Sequence, residues 1–173
     1  YQIINNSWIQ LGNDIDGEAN EDLYGLSVAL SSDGTIMAAA SPYNDDNGIN
    51  SGHVRVFKYS NSSWIQLGGD ITGEASGDTF GYNNCIDLSS NGTILAVGAP
   101  SNDGNGNSSG HVRVYRYYNN SWNQIGNDID GEASGDQSGY SVSLSSDGSI
   151  LAIGAKFNDD NGSGSGPVRV FKL

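Results

Sequence analysis

The sequence predicts an all-β chain of three propeller-type blades, each of four antiparallel strands, with the last blade completed by an N-terminal strand from its own or a neighbouring chain. Three observations lead there. A unit of about 57 residues is written three times, a period typical of repeats that bury their apolar faces only by stacking on a sibling. Trp8, Trp64 and Trp122 open the copies at spacings of 56 and 58 residues. No window carries apolar residues at helical spacing, and Gly interrupts every candidate, whereas short alternating runs bounded by turn residues recur throughout.

The elements follow in order. Residues 26–30 (Leu-Ser-Val-Ala-Leu) alternate and meet Ser32-Asp33-Gly34-Thr35, whose Asp-Gly suits the positive φ angles of a tight hairpin. Residues 35–40 return. After an Asn/Asp/Gly loop, residues 53–59 alternate for seven positions, Ser60 to Ser63 turn the chain, and residues 64–67 form a fourth strand. The same reading gives strands at 86–88, 93–99, 111–117 and 122–125, then at 140–144, 149–155 and 168–171. Gly81 to Leu88 spans seven positions where Gly25 to Leu30 and Gly139 to Leu144 span five, which predicts a bulge or a longer lead-in loop near Asn83 and Asn84. The second strands are rich in small residues, as in Ala38-Ala39-Ala40 and Ala96-Val97-Gly98-Ala99, suiting close approach where blades converge. Trp8, Trp64 and Trp122 suit the periphery, where a long ring covers a blade interface, and are assigned a structural role.

The chain reads as one repeat domain over 1–173: repeat 1 at 8–63, repeat 2 at 64–121, repeat 3 at 122–173 without its fourth strand, and 1–7 as the tail of a preceding repeat. Seven Lys and Arg stand against 20 Asp and Glu, a formal charge of −13, which argues against nucleic acid and anionic membranes as partners and makes cations the natural counterpart. The single cysteine, Cys85, excludes an internal disulfide framework and is expected as a packed thiol. No apolar run reaches the roughly 20 residues of a membrane-spanning helix. The start at Tyr1 reads as a processed product, a fragment or an internal stretch of a longer sequence.

Phe80-Gly81 with Gly98-Ala99-Pro100, Tyr24-Gly25 with Ala40-Ser41-Pro42, and Ser138-Gly139 with Gly154-Ala155-Lys156 resemble the two halves of the FG-GAP repeat, the blade unit of integrin α-subunit propellers. The resemblance covers nearly the whole chain and implies blades, extracellular placement and often adhesion. It also implies calcium, held between the first two strands by Asp-x-Asp/Asn-x-Asp-Gly-x-x-Asp, because a hard cation needs six to eight oxygens. Here that stretch is only Ser-Ser-Asp-Gly at 31–34 and 145–148, with Asn91 replacing Asp in the middle copy, so the inherited calcium site is expected to be missing.

A second acidic loop recurs at 44–48, 102–106 and 158–162. Asp45, Asp46, Asp103, Asp159 and Asp160 are its candidate cation ligands, with Ca2+ the ion and no cofactor otherwise required; the competing reading is a turn-rich loop. Asp14, Asp70 and Asp128 recur with Glu18, Glu74 and Glu132 and with Asp22, Asp78 and Asp136 at equal offsets, which suits loop capping rather than a catalytic pair. His53 and His111 share a position that holds Pro167 in the third copy, so the sequence gives neither a catalytic nor a ligand role. No catalytic residues are assigned. Sequons place N-glycosylation at Asn5, Asn61, Asn91, Asn107, Asn119 and Asn161, and Asn5, Asn61 and Asn119 each stand three residues before the Trp, at a turn.

These features predict a noncatalytic extracellular or cell-surface structural protein that assembles with itself head to tail into a filament or ring and displays glycans. The alternative is an adhesion module binding a carbohydrate or protein, with or without a cation.

Overall fold

The computed structural model describes residues 2–173 and holds no helix among them. It opens on a hairpin of β1 (Gln2–Ile4) and β2 (Ser7–Ile9). The first sheet contains β3 (Ser27–Leu30), β4 (Ile36–Ser41), β5 (His53–Ser60) and β6 (Ser63–Gln66) in that spatial order, and a two-residue strand, β7 (Ile71–Thr72), pairs with the start of β5. The second sheet repeats this with β8 (Ile86–Leu88), β9 (Ile94–Ala99), β10 (His111–Tyr118), β11 (Ser121–Gln124) and β12 (Ile129–Asp130) on β10. The third holds β13 (Ser138–Leu144), β14 (Ile150–Ala155) and β15 (Val168–Lys172). Every strand pairing within the sheets is antiparallel, as propeller-type blades require. The strand after each Trp thus belongs to the sheet of the copy before it.

Local chemistry explains the hairpins. Asn61 and Ser62 sit at φ 51° and 63°, and Asn119 and Asn120 at 50° and 60°, so β5–β6 and β10–β11 are joined by two-residue turns of the type whose twist matches paired strands. The Asp-Gly turns work differently from the two-residue form expected. Only Gly34 of the pair has positive φ, at 69°, and Asp33 serves as an acceptor: its Oδ1 takes bonds from Ser31 Oγ at 2.7 Å and Thr35 N at 2.9 Å. Ser31 Oγ in turn accepts from Ile36 N at 2.9 Å. The extra residues of the middle copy form a lead-in loop with Asn83 and Asn84 at φ 35° and 49°, shortening β8 to three residues, while a bulge between Ser138 and Ser141 appears in the third copy.

The second sheet is buried on both sides. Leu95 and Val97 of β9 pack with Ile86, Leu88, Val54, Val56, Ala38 and Ala40 toward the first sheet. Ile94 and Ala96 face the other way and join Val112, Val114, Leu151 and Ile153. Small residues set the joint. A Cβ on Gly81 would stand 2.6 Å from Ala40 Cβ, and one on Gly98 would overlap the Gly139 carbonyl oxygen. Trp side chains close the outside: Trp64 Nε1 donates to Leu11 O at 2.9 Å and Trp122 Nε1 to Leu67 O at 2.7 Å, with the rings lying on Gly12 and Gly68. At one end the turns link sheet to sheet, Ser32 N donating to Ser90 O at 2.9 Å and Ser90 N to Ser146 O at 2.8 Å.

The third sheet has no fourth strand among the described residues, and the chain's own N-terminal strand does not supply one, because β2 pairs with β1 alone. Cys85 is a free, fully buried thiol whose pKa burial drives far upward, as expected of a packed cysteine.

Gly98 lies where no side chain fits, whereas Gly69 faces open space at an ordinary φ. Gly98→Ala should lower stability by about 1–3 kcal/mol through overpacking and Gly69→Ala should stay within about 0.5 kcal/mol. Denaturant unfolding of the two variants measures the difference.

Candidate functional site

The Gly-x-Asp-Ile-x-Gly-Glu-Ala stretch supplies two carboxylates per copy and the start of the next long strand supplies a histidine and an arginine. β7 fixes the geometry by pairing His53 with Thr72 and Val54 with Ile71. Gln66 Nε2 holds Asp70 Oδ1 at 2.6 Å, and Gln124 does the same to Asp128 at 2.6 Å. His53 Nδ1 then lies 3.6 Å from Asp46 Oδ2 and 3.9 Å from Glu18 Oε2. Ligand-type atoms of Glu18, Asp46, His53 and Asp70 all fall within 4.8 Å of one another, as do those of Glu74, His111 and Asp128.

The imidazoles are buried, His53 at 0% and His111 at 1% exposure. Neither ring nitrogen of His53 has a hydrogen-bond partner among the described residues, nor has His111 Nε2. Leaving such a nitrogen unpaired costs about 1–3 kcal/mol. Desolvation, with the Arg113 charge added, lowers the His111 pKa against the pull of Asp128, Glu74 and Asp78. That environment favours the neutral ring.

Arginine is the resident counter-ion. Arg113 grips Asp128 with Nε at 3.0 Å and Nη2 at 2.9 Å and also pairs with Glu74. Desolvation pushes the Asp128 carboxyl up, but hydrogen bonds from Arg113 and Gln124 win and leave it below the usual range. Arg55 is less committed: it reaches Glu18 at 3.3 Å, donates to Asp16 O at 2.7 Å and stacks on the Tyr24 ring. In the third copy Pro167 stands in the histidine position and Arg169 meets Glu132 at 3.9 Å.

Of the five candidate cation ligands, only Asp46 joins such a group. Asp45, Asp103 and Asp159 each staple their own loop, Oδ1 accepting from Asn50 N at 2.8 Å, Ser108 N at 2.7 Å and Gly164 N at 2.6 Å. Asp160 lies outside both groups. The third acidic position does cap backbone: Asp78 accepts from Ala75 N at 3.1 Å and Asp136 from Ala133 N at 2.9 Å, while Asn102 and Asn158 donate to the same carboxylates. All six sequon asparagines are exposed. Asn5, Asn61 and Asn119 occupy the first positive-φ position of their hairpin turns. A groove of about 300 Å³ lies elsewhere, lined by Tyr43, Tyr82, Tyr140, Lys156 and Phe157 among others.

The histidines are what sequence reasoning passed over. Their signal was present, because His53 and Asp70, like His111 and Asp128, stand 17 positions apart, and the copy without the histidine is the one with Pro167.

The paired blades, their glycine joints and the small-residue second strands meet one family description. Residues 129–171 match the family model of the FG-GAP repeat. That segment is similar to an FG-GAP repeat. The match runs from β12 to Phe171 in β15, and copies one and two carry the same order of residues and strands. FG-GAP repeats are typical of extracellular and surface proteins and are generally noncatalytic. No helix among the described residues is long and apolar enough to cross a membrane. No curated protein matches the chain.

Hydrogen bonds from Ser145 Oγ, Ser149 N and Ser149 Oγ lower the Asp147 pKa to about 2 from an ordinary 3.8. A depressed folded-state value means the carboxylate stabilises the fold above pH ~4, and that contribution is lost as pH falls through about 2. NMR titration should find Asp147 ionised through pH 3, and Asp147→Asn should flatten the acid limb of the stability curve between those limits.

Proposed function

We propose that this FG-GAP protein is a noncatalytic extracellular structural protein whose copies stack head to tail, in a filament or ring, with N-linked glycans on its outer turns. One observation carries the reading: among the described residues, the first and third sheets expose the same positions that the second sheet buries. Val168 and Val170 of β15 are 71% and 65% exposed, whereas their counterparts Val112 and Val114 on β10 are at 0% and 2%. At the other end Val28 and Leu30 of β3 are 61% and 59% exposed, against 6% for both Ile86 and Leu88. The faces differ, so the contact is heterologous and propagates instead of closing a two-fold dimer.

The internal joints supply the docking geometry. On β5 and β10 the fourth strand pairs Gln66 with Phe57 and Gln124 with Tyr115. By the same register, Gln10 of a second copy would pair with Phe171 of β15 and place Trp8 beside Leu173, on the edge of β2 that β1 holds in the free chain, so β1 gives way as β15 takes its place. Gly12 and Gly68 each carry a tryptophan ring, while Gly126, the equivalent position, has nothing within 4 Å. Trp8 is 71% exposed and is the residue that would cover it. Burying Val28, Leu30, Val168 and Val170 at about 1.5–3 kcal/mol each supplies roughly 6–12 kcal/mol before the cost of association, enough for a reversible contact. The contact would place one strand edge against another by β-augmentation.

The adhesion reading has one observation of its own, the groove lined by Tyr43, Tyr82, Tyr140 and Phe157 with Lys156 Nζ 3.4 Å from the Tyr140 ring centroid. Aromatic faces suit a sugar ring, and glycan-array binding lost in Tyr82→Ala would favour this second function.

Light scattering after size exclusion should show mass rising with concentration, and Val168→Lys with Val170→Lys, or Trp8→Ala, should return the chain to monomer. A wild-type chain that stays monomeric at every concentration removes the assembly reading. For the glycans, secreted material should lose mass on treatment with an amide-cleaving glycosidase, with Asn61 and Asn119 among the modified sites. Unchanged mass would remove that part.

A further inference from the structure

We propose that His53, Glu18, Asp46 and Asp70 form a binding site for a divalent transition-metal ion, Zn2+ being the ion its donors suit best. Three independent features meet there. The first is spacing: a tetrahedral ion with bonds of about 2.1 Å sets its ligand atoms roughly 3.4 Å apart, and His53 Nδ1 stands 3.6 Å from Asp46 and 3.9 Å from Glu18. The whole set needs only small side-chain adjustments, and three of its members are exposed. The second is the buried imidazole, fully enclosed, with no hydrogen-bond partner among the described residues and with Nδ1 directed at the carboxylates. The third is charge. Of the three carboxylates only Glu18 is paired with a guanidinium, that of Arg55, which leaves a net two negative charges for a divalent ion.

The donor set selects the class of ion. One nitrogen with three carboxylates suits Zn2+ and its first-row neighbours, whereas Ca2+ and Mg2+ prefer oxygen alone. The position also differs from the β3–β4 hairpin, where Asp33 Oδ1 already accepts from Ser31 and Thr35. The ligands come from four segments: the stretch ahead of β3, the β4–β5 loop, the start of β5 and the stretch ahead of β7. A bound ion therefore ties those segments together.

The second copy provides an internal comparison. His111, Glu74 and Asp128 repeat three ligands, but Gly104 replaces Asp46 and Arg113 holds both carboxylates. That group should bind more weakly. Gly104 shares the backbone bond of Asp46, its N–H donating to Asn102 Oδ1 at 2.8 Å as Asp46 N does to Asn44 Oδ1 at 3.0 Å; an added Cβ would meet that Oδ1 at 2.9 Å, so an aspartate there requires a small shift of the Asn102 side chain.

Titration calorimetry of the whole chain with ZnCl2, and separately with CaCl2, tests this. The expected result is one tight Zn2+ per chain, a rise in Tm on binding and weaker Ca2+ uptake. His53→Gln should weaken Zn2+ binding at least tenfold, as should Asp46→Asn at an exposed loop position that leaves folding intact, while His111→Gln should keep the tight ion. Gly104→Asp should add a second. The proposal fails if the wild-type chain binds no Zn2+, if His53→Gln and Asp46→Asn bind it undiminished, or if Ca2+ binds more tightly than Zn2+.

Discussion

The joint between consecutive sheets is the constraint on which the rest of this protein depends. Gly81 against the Ala40 methyl, and Gly98 against the Gly139 backbone, bring the sheets to distances at which neither glycine tolerates a side chain. Only because the gap closes do Leu95 and Val97 reach the first sheet while Ile94 and Ala96 reach the third, so that a strand of six residues is buried at every position. The hydrophobic term is non-directional and would accept many packings. The glycines choose one, and the indole hydrogen bonds to Leu11 and Leu67 fix the outer edge of it.

The polar cluster is assembled separately. Glu18 and Glu74 approach from the stretches ahead of β3 and β8, whereas His53 and His111 start the long strands of the sheets those stretches lead into. Once enclosed, the histidines lose water and the carboxylates need a cation. Arg113 supplies it in full in the second copy, Arg55 only in part in the first. Three copies of one element have thus settled into three electrostatic states, the last without its histidine at Pro167.

The alternation of residues 53–59 and 111–117 and the hairpin residues between them marked the strands to within a residue or two, because period-two burial and turn chemistry are both local. β7 and β12 were invisible for the opposite reason: two-residue strands have no period and exist only because β5 and β10 offer an edge. The turn at Asp33 was placed correctly but misread in type, since side-chain acceptance from Thr35 competes with positive φ and nothing in a dipeptide decides between them. The acidic loops behaved similarly. Asp45 and Asp46 are neighbours of one residue type, yet one staples its loop and the other faces His53, a division set by which way the chain turns.

The phase difference between written unit and folded unit has a genetic consequence. The residues beginning at Trp64 lie in one copy but finish the sheet of another, so each internal sheet is spliced from two successive copies. Any in-frame gain or loss of one full period, wherever its breakpoints fall, leaves every interior sheet with four strands and changes only how many there are. Length in such a lineage can drift by whole sheets without a stage in which a half-made one must be tolerated.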